Sequence, residues 1–159
     1  MRFEMNDRVE KLRDAKARRS PQEIVRAIPY LEFLGVTVQE EGGDLVCFLP
    51  FQEKLVGNPT LPALHGGVIG SLLESVALLQ LIWALDSAEL PRTINTSLDF
   101  LRSGQAKGTY ARGRITKQGR RVANVRAEAW QDDPSRLIAA AHGHFLLGSG
   151  TTRGVDNER

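Results

Sequence analysis

Two kinds of hydrophobic pattern divide the chain, one with helical spacing and one in which every second residue is apolar. The helical spacing comes first, in a charged segment over 7–18 that predicts an amphipathic helix. Ser20 and Glu23 are spaced as a capping box, and Pro21 takes the first position of the helix that they introduce. Pro29 is expected to end this second helix. Both helices are predicted to lie on the outside of the core.

From Gly35 onward the apolar residues alternate, which predicts two strands over 36–40 and 45–49. The residues Glu41-Gly-Gly-Asp44 between them are typical of a hairpin turn. Prolines and glycines within 50–64 then predict an irregular segment. Four more strands are predicted after a further proline, over 93–101, 109–117, 121–131 and 137–147.

Between these two groups of strands lies a segment, 68–85, whose residues are nearly all apolar. A helix that spans a membrane needs about 20 such residues. Here Glu74 and Gln80 interrupt the run, and no basic loops flank it. A helix that is apolar all round must be covered on nearly every side. We therefore predict a buried central helix from about Gly66 to Leu85 and no membrane association.

The predicted elements follow the order helical extension, two strands, one long helix and four strands. A curved antiparallel sheet wrapped around the long helix covers it most simply, and a partner subunit would close the rest. Small residues, which let a sheet approach a helix closely, alternate along one strand at Ala123, Val125, Ala127 and Ala129. This layout is an α+β hotdog fold. It would occupy 35–148, after an N-terminal helical extension over 1–34 and before a flexible tail over 149–159.

Composition narrows the class of protein. The chain has 159 residues, of which 42% are hydrophobic and 25% charged, as in one soluble globular domain. A single cysteine, Cys47, excludes an internal disulfide framework and a cysteine-rich zinc site. The segment 1–19 lacks the apolar stretch of a signal peptide, so a cytoplasmic location is expected. The formal net charge of +2 favours no particular partner.

The start of the long helix has the strongest chemical signal in the sequence. Gly66 and Gly67 leave backbone N–H groups unobstructed where the helix dipole favours negative charge. Such a helix start can stabilise an oxyanion, although close packing alone would also explain two glycines. Glu74 is the only charged residue in the predicted helix. A buried carboxylate must be hydrogen-bonded, protonated or used in a reaction, so Glu74 is either a functional group or a core residue with a polar partner.

The motif His65-Gly66-Gly67, with an acidic residue nine positions after the histidine, resembles the hotdog acyl-CoA thioesterases of the phenylacetyl-CoA-pathway (PaaI-like) group. The resemblance covers about 35–147. Many members carry aspartate at the acidic position, and others, similar to the 4-hydroxybenzoyl-CoA thioesterase of the same arrangement, carry glutamate. The resemblance implies hydrolysis of an acyl-CoA thioester without a metal or redox cofactor, coenzyme A being part of the substrate.

The same resemblance implies a role for individual residues. Glu74 would act as nucleophile or general base towards the thioester carbonyl, the Gly66 N–H would polarise that carbonyl, and His65 would shape the turn. Asn58 would match the family's polar residue upstream of the histidine, at seven residues' distance where the family usually shows six. Thr93 falls where some members place a hydroxyl near the lytic water.

The spacing of the two catalytic candidates has a geometric consequence. Gly66 and Glu74 are eight residues apart, or about 12 Å along a helix axis. They therefore cannot both reach one carbonyl carbon from the same helix. If both act, the Gly66 turn of one subunit faces Glu74 of another, which predicts a homodimer or homotetramer with active sites at the subunit interface.

Eight lysines and arginines lie in the segment 102–126, which contains no acidic residue. A solvated outer face of the sheet would explain them. They could also bind the phosphates of coenzyme A, best at Arg120 and Arg121 beside the Gly119 turn. Together with Gly67 at the helix start, these arginines are the further substrate-binding candidates. The chain has no aromatic stacking platform or recognition-helix motif, so no nucleic-acid partner is expected.

Other residues indicate less. His142 and His144 share one face of the last strand without a third ligand, so no metal site is expected. Cys47 has no nearby base and is predicted to be a buried, inert thiol. Two alternatives to a thioesterase remain: a hotdog hydratase or dehydratase, which would need a poised histidine, and a non-catalytic acyl-CoA-binding module. The acyl group stays open between aromatic and medium-length aliphatic chains.

Overall fold

The computed structural model of the protein describes residues 2–86, 89–148 and 152–153. The helices are α1 (Arg2–Ala17), α2 (Pro21–Ala27), α3 (Pro29–Leu34) and α4 (Gly66–Ala84). The strands are β1 (Thr37–Glu41), β2 (Asp44–Leu49), β3 (Val56–Asn58), β4 (Ala63–Leu64), β5 (Leu85–Asp86), β6 (Arg92–Phe100), β7 (Thr109–Gln118), β8 (Val122–Trp130), β9 (Ala139–Leu146) and β10 (Thr152–Arg153).

Six strands form one antiparallel sheet in the order β1-β2-β7-β8-β9-β6. Helix α4 packs across one face of this sheet and contacts β2, β6, β7, β8 and β9. Strands β1 and β6 are the two edges of the sheet. β6 pairs with β9 and not with β7, the next strand of this sheet along the chain. This is the predicted α+β hotdog arrangement, with the long helix held against an antiparallel sheet.

Small side chains on the inner face of the sheet explain how closely α4 approaches it. Ala111, Ala123 and Ala129 are completely buried there. At Gly113 there is no room for a side chain at all, because a Cβ atom would lie 2.8 Å from the carbonyl oxygen of Val76 on α4. The alternation of small residues predicted for β8 is therefore the contact surface for the helix.

The hairpin between β1 and β2 forms as its sequence predicts. Glu41 pairs directly with Asp44, and the two residues between them are Gly42 and Gly43. Their φ angles are +61° and +90°, in the left-handed region that a two-residue hairpin turn of this kind requires. Glycine adopts this region without steric cost.

The N-terminal helices contribute buried residues to the same core as the sheet, including Leu12, Ile24 and Leu31. Ser20 is the N-cap of α2, but its side chain makes no capping hydrogen bond, so the predicted capping box is wrong. Glu23 instead forms an ion pair with Arg18 at 2.9 Å.

Two further differences from the sequence concern short elements. Pro29 ends α2 as predicted, and it also begins a third helix, α3, that the sequence pattern did not predict. The segment 50–64 is not wholly irregular, because β3 and β4 form a short antiparallel ladder within it. Of the predicted tail over 149–159, Thr152 and Arg153 pair with β5, and the other residues lie outside the described ranges.

One helix in the described part of the chain, Gly66–Ala84, is long and apolar enough to cross a membrane. In this protein 61% of the most apolar 18-residue stretch of this helix is buried against the rest of the fold. The central helix of a globular core has the same length and composition, so this helix is weak evidence for a membrane span.

Candidate active site

The first turn of α4 leaves one backbone donor without a partner in the described chain. His65 is the N-cap, and its Nδ1 accepts the Gly67 N–H at 2.9 Å. The carbonyl of His65 accepts the N–H groups of Val68 and Ile69 at 2.9 and 3.3 Å. Because no described residue accepts the Gly66 N–H, this group can bind an external oxygen, with the helix dipole adding to its positive character.

Glu74 lies two turns further along α4 and is half-buried rather than fully buried. Its Oε1 accepts a hydrogen bond of 2.7 Å from the Thr93 hydroxyl on β6. The sequence left three possibilities for this carboxylate, and the structure shows it hydrogen-bonded and open to solvent on one side. A carboxylate held by one donor keeps lone pairs available for a water molecule or an acyl carbon.

A β-bulge brings Thr93 to this position. On β6, Thr93 pairs with Phe145 and Asn95 pairs with His144, so Ile94 is an extra residue without a partner on β9. Residues alternate between the two faces of a strand, and the extra residue changes the alternation by one position. Thr93 therefore lies on the inner face opposite buried Phe145, and without the bulge it would share the outer face with Asn95.

The inner face of β6 closes one side of the site with apolar side chains. A Cβ atom on Gly66 would lie 3.4 Å from the ring of Phe100, and one on Gly70 would lie 2.9 Å from a methyl group of Leu98. Glycines at these positions of α4 therefore allow β6 to lie close to the helix. The candidate site is the groove between the N-terminal half of α4 and β6.

This groove lies at an edge of the sheet that nothing in the described chain covers. All residues of β6 are exposed except half-buried Thr96. The exposed residues include Ile94, Leu98 and Phe100, with 55%, 39% and 55% of their surface accessible. An edge strand carries unpaired N–H and C=O groups that can pair with another strand.

The side chain of Asn58 is engaged in its own turn. Its Oδ1 accepts the Thr60 N–H at 3.0 Å and the Thr60 hydroxyl at 2.7 Å. The side chain is exposed, at the end of β3. Gly57, the residue before it, packs against His65, where a Cβ atom would approach the His65 Cα to 2.6 Å.

The basic segment is less uniform than its sequence indicates. Acidic residues from elsewhere in the chain pair with four of the eight cations, through Lys107–Asp132, Arg112–Glu128, Arg114–Asp44 and Arg126–Glu128. The segment 102–126 contains no acidic residue, but the fold supplies acidic partners from outside it to half of its cations. Arg120 and Arg121 are exposed and have no charged partner among the described residues.

The remaining candidates are placed apart from the groove. His142 and His144 are exposed on the outer face of the sheet, and His144 contacts Asn95 through Nδ1 at 2.7 Å. In the described ranges no group of three or more His, Cys, Asp or Glu side chains could hold a metal ion. Cys47 is completely buried, and burial raises the pKa of its thiol to about 12.

Sequence reasoning missed three residues that shape the groove: Thr96, Leu98 and Phe100. The Thr96 hydroxyl oxygen is buried without a hydrogen-bond partner in the part of the chain that is described. All three belong to β6, and each face of this strand carries both polar and apolar residues. A bulge cannot be seen in such a pattern, so the sequence did not show which face meets α4.

Comparison with known proteins assigns the chain to a family. The sequence profile of the thioesterase superfamily matches residues 61–138. Medium/long-chain acyl-CoA thioesterase YigI of Salmonella typhimurium is 30% identical over 110 residues, which cover 61% of this chain and 70% of that protein. The chain belongs to the thioesterase superfamily.

Solved structures agree with this assignment. A protein from Chromobacterium violaceum is 43% identical, covers 87% of this chain and 97% of its own, and superposes with a TM-score of 0.72. A phenylacetic acid degradation-related protein from Ralstonia eutropha is 26% identical, covers 80% of this chain and 98% of its own, and has a TM-score of 0.69. The predicted resemblance to this group and the predicted fold are thus confirmed.

Proposed function

We propose that the protein hydrolyses the thioester of an acyl-CoA, with Glu74 as nucleophile or general base and the Gly66 N–H as oxyanion donor. The observation that carries the proposal is that α4 bears both groups: a Gly66 N–H that no described residue accepts at its start, and two turns further on a carboxylate that accepts the Thr93 hydroxyl. Membership of the thioesterase superfamily supports the reaction class.

Both versions of the reaction use the same groups. As a general base, Glu74 takes a proton from water while the water oxygen bonds to the thioester carbon, and the carbonyl oxygen becomes an oxyanion. As a nucleophile, Glu74 bonds to that carbon itself, and water later releases the acid. In either case the oxyanion accepts the Gly66 N–H, the C–S bond breaks, and coenzyme A leaves as thiol after taking up a proton. Neither version needs a metal or redox cofactor.

The site needs a second copy of the chain. Gly66 and Glu74 are eight residues apart on α4, so about 12 Å separates them along the axis. The exposed edge strand β6, with its apolar side chains, is where a second copy would pair and bring its own Gly66 turn towards Glu74. The protein would then act as a homodimer, or as a tetramer of such dimers, with sites at the interface.

The nucleotide end of coenzyme A would bind at Arg120 and Arg121. These arginines lie at the β7–β8 turn, are exposed, and keep their charges free of described carboxylates. Arginine forms paired hydrogen bonds with phosphate oxygens, which suits the phosphates of coenzyme A. The name of the Salmonella relative, a medium/long-chain acyl-CoA thioesterase, supports an aliphatic acyl group over an aromatic one.

The geometry disfavours both alternative functions. A hydratase or dehydratase would need a histidine free to exchange protons, whereas the Nδ1 of His65 accepts the Gly67 N–H. A non-catalytic acyl-CoA-binding module would have no use for a carboxylate such as Glu74 beside the thioester.

A thiol-release assay with acyl-CoAs of 2 to 16 carbons and with phenylacetyl-CoA tests the proposal. We expect release of free coenzyme A by the wild-type protein and its loss in Glu74→Ala. Binding of acyl-CoA without release by either protein would favour the binding module. Loss of acyl-CoA without free thiol would favour hydration or dehydration of the acyl chain.

A further inference from the structure

A cavity lies at the far end of α4 from the Gly66 turn, between this helix and α1. Its volume is about 30 Å³, and its lining is mostly apolar. Leu12 of α1, Leu81, Ile82 and Leu85 of α4 and its end, and Pro91 before β6 form much of its wall. The mechanism derived for the groove does not use this cavity.

The cavity and Glu74 lie on one face of α4. Leu78, Leu81, Ile82 and Leu85 follow Glu74 by four, seven, eight and eleven residues, the spacing that keeps side chains in one helical stripe. Leu78, between the two sites, is half-buried. The chain around the start of β6 is near both places, because Pro91 lines the cavity and Thr93, two residues later, donates its hydrogen bond to Glu74.

The distance between the two sites defines a chain length. Leu81 and Ile82 are seven and eight residues beyond Glu74, which corresponds to roughly 11 Å along the helix. An extended alkyl chain advances about 1.25 Å per carbon, because its bonds are near 1.5 Å long. A chain whose carbonyl carbon is at Glu74 would therefore bring its ninth or tenth carbon to the cavity.

The size of the cavity favours a chain over a ring. A cavity of about 150 Å³ lined by aliphatic and aromatic side chains accepts benzene, whereas one near 30 Å³ has room for a methyl or methylene group. Lys16 of α1 forms part of the wall and donates a hydrogen bond to the Leu85 carbonyl. Carbons beyond this point would meet the Lys16 ammonium group and the Leu85 carbonyl, which disfavours longer alkyl chains.

We propose that this cavity receives the methyl end of a saturated acyl chain of about eight to twelve carbons, and that α1 of the N-terminal extension sets the chain length. The proposal rests on the acyl-CoA thioesterase function proposed above. It names the substrate class, and it assigns to α1 a part in substrate selection.

Binding tests the cavity independently of hydrolysis. Isothermal titration with S-alkyl-CoA thioethers of 4 to 16 carbons, which the enzyme cannot hydrolyse, measures Kd against chain length. Up to about fourfold tighter binding is expected per added methylene as far as ten carbons, the fold-change that corresponds to ~0.8 kcal/mol for each buried methylene. Binding should level off or weaken beyond twelve carbons. A Kd that does not change with chain length would overturn the proposal.

Substitutions of Leu12 test the part played by α1. Leu12→Ala should move the best acyl-CoA two or three carbons longer, and Leu12→Phe should move it shorter. The readout is the ratio of kcat/KM for dodecanoyl-CoA to that for octanoyl-CoA, which does not depend on the amount of folded enzyme. Leu34→Ala removes the same atoms from buried α3 away from the cavity, and it should leave the ratio unchanged.

The two proposals can fail separately. If no acyl-CoA is hydrolysed but thioether binding depends on chain length and on Leu12, the hydrolase function is wrong and the cavity is a chain site. If acyl-CoAs are hydrolysed but phenylacetyl-CoA is the best substrate, or the ratio is the same in all Leu12 variants, the cavity is not the acyl site. Thermal melting of each variant shows whether its fold is retained.

Discussion

The two halves of the Glu74 face of α4 differ in what covers them. In the N-terminal half Gly67 is exposed and Ser71 and Glu74 are half-buried. In the C-terminal half Leu81 and Ile82 are 0% and 7% exposed, with α1 lying over them. The chain thus covers one half of this face with its own extension. The other half, which carries the candidate chemistry, stays open for a substrate and for a second copy.

The residues along α4 account for this difference. Gly66, Gly67, Gly70 and Ser71 make the first half narrow, so the Phe100 and Leu98 side chains of β6 lie directly against Gly66 and Gly70. The second half carries large apolar residues, whose burial stabilises the fold by roughly 1.5–3 kcal/mol for each side chain. One helix therefore combines a half that carries the candidate site with a half that stabilises the fold.

The largest expected effect concerns Glu74 in the open half. Glu74→Ala should lower kcat for acyl-CoA by about 10²- to 10⁴-fold, because the base or nucleophile is lost. The side chain is half-buried and has one hydrogen bond, so thermal melting should change little. Ser75→Ala, a half-buried neighbour on α4, is the control and should keep its activity. A Glu74→Ala enzyme with near wild-type turnover would exclude the assignment.

The next effect is expected at the Gly66 N–H. Gly66→Pro removes this donor and should lower kcat by about 10²- to 10³-fold, the usual effect of losing one oxyanion donor. Proline fits the first helical position, and His65 before it has the extended conformation that a following proline requires, with φ −64° and ψ 131°. Gly66→Ala keeps the N–H and should stay much closer to wild type.

Mixing the two inactive variants extends this prediction to the subunit interface. A heterodimer of Glu74→Ala and Gly66→Pro chains would combine an intact Glu74 with an intact Gly66 in one of its two sites. Activity should reappear after subunit exchange, which can be followed by native mass spectrometry. Verified heterodimers without activity would contradict a shared site.

A substitution in the covered half of α4 should lower the stability of the fold. Leu81→Ala should lower the free energy of unfolding by about 2–5 kcal/mol, as expected for truncating a completely buried leucine. Chemical denaturation measures this loss directly. Ser71→Ala in the open half should change stability by less than about 0.5 kcal/mol, which is usual for substitutions outside the core. Equal losses for the two variants would remove the distinction between the halves.

A smaller effect is expected from Thr93, which positions Glu74 from across the groove. Thr93→Val keeps the shape but removes the hydroxyl, and should lower kcat roughly tenfold with little change in KM, because a hydrogen bond to a charged group is lost. Thr93→Ser restores a hydroxyl and should recover most of kcat. A change confined to KM would indicate a role in binding instead.

The smallest effect is expected at the arginine turn, outside both halves of α4. Arg120→Ala combined with Arg121→Ala should raise KM for acyl-CoA several-fold with kcat nearly unchanged, and added salt should reduce the difference. Arg114→Ala, whose arginine is paired with Asp44, is the matched control. Pantetheine thioesters lack the nucleotide phosphates and should not distinguish the variant from wild type. An unchanged KM for acyl-CoA would leave these arginines as surface charges.

The elements that could be predicted from the sequence are those determined by residues close together in the chain. Gly66 marks the start of α4, and Glu41-Gly-Gly-Asp44 marks the hairpin, because glycine and helix periodicity act over a few residues. The ion pair between Arg112 and Glu128 depends on which residue of β7 faces Glu128 on β8, and no local pattern encodes that register. The bulge at Ile94 could not be predicted either, because the polar and apolar residues of β6 do not show where its alternation shifts by one position.

Gly113 gives the site a dependence on a position far from any reacting group. Because β7 touches the α4 backbone at Val76, two residues from Glu74, this glycine sets the height of the carboxylate above the sheet. Any side chain here would act as a spacer and lift α4 away from the sheet to which β6 belongs. Glu74 and Thr93 would then move apart although neither had been altered. The absence of a side chain at Gly113 thus helps to fix the distance across which Thr93 and Glu74 form their hydrogen bond.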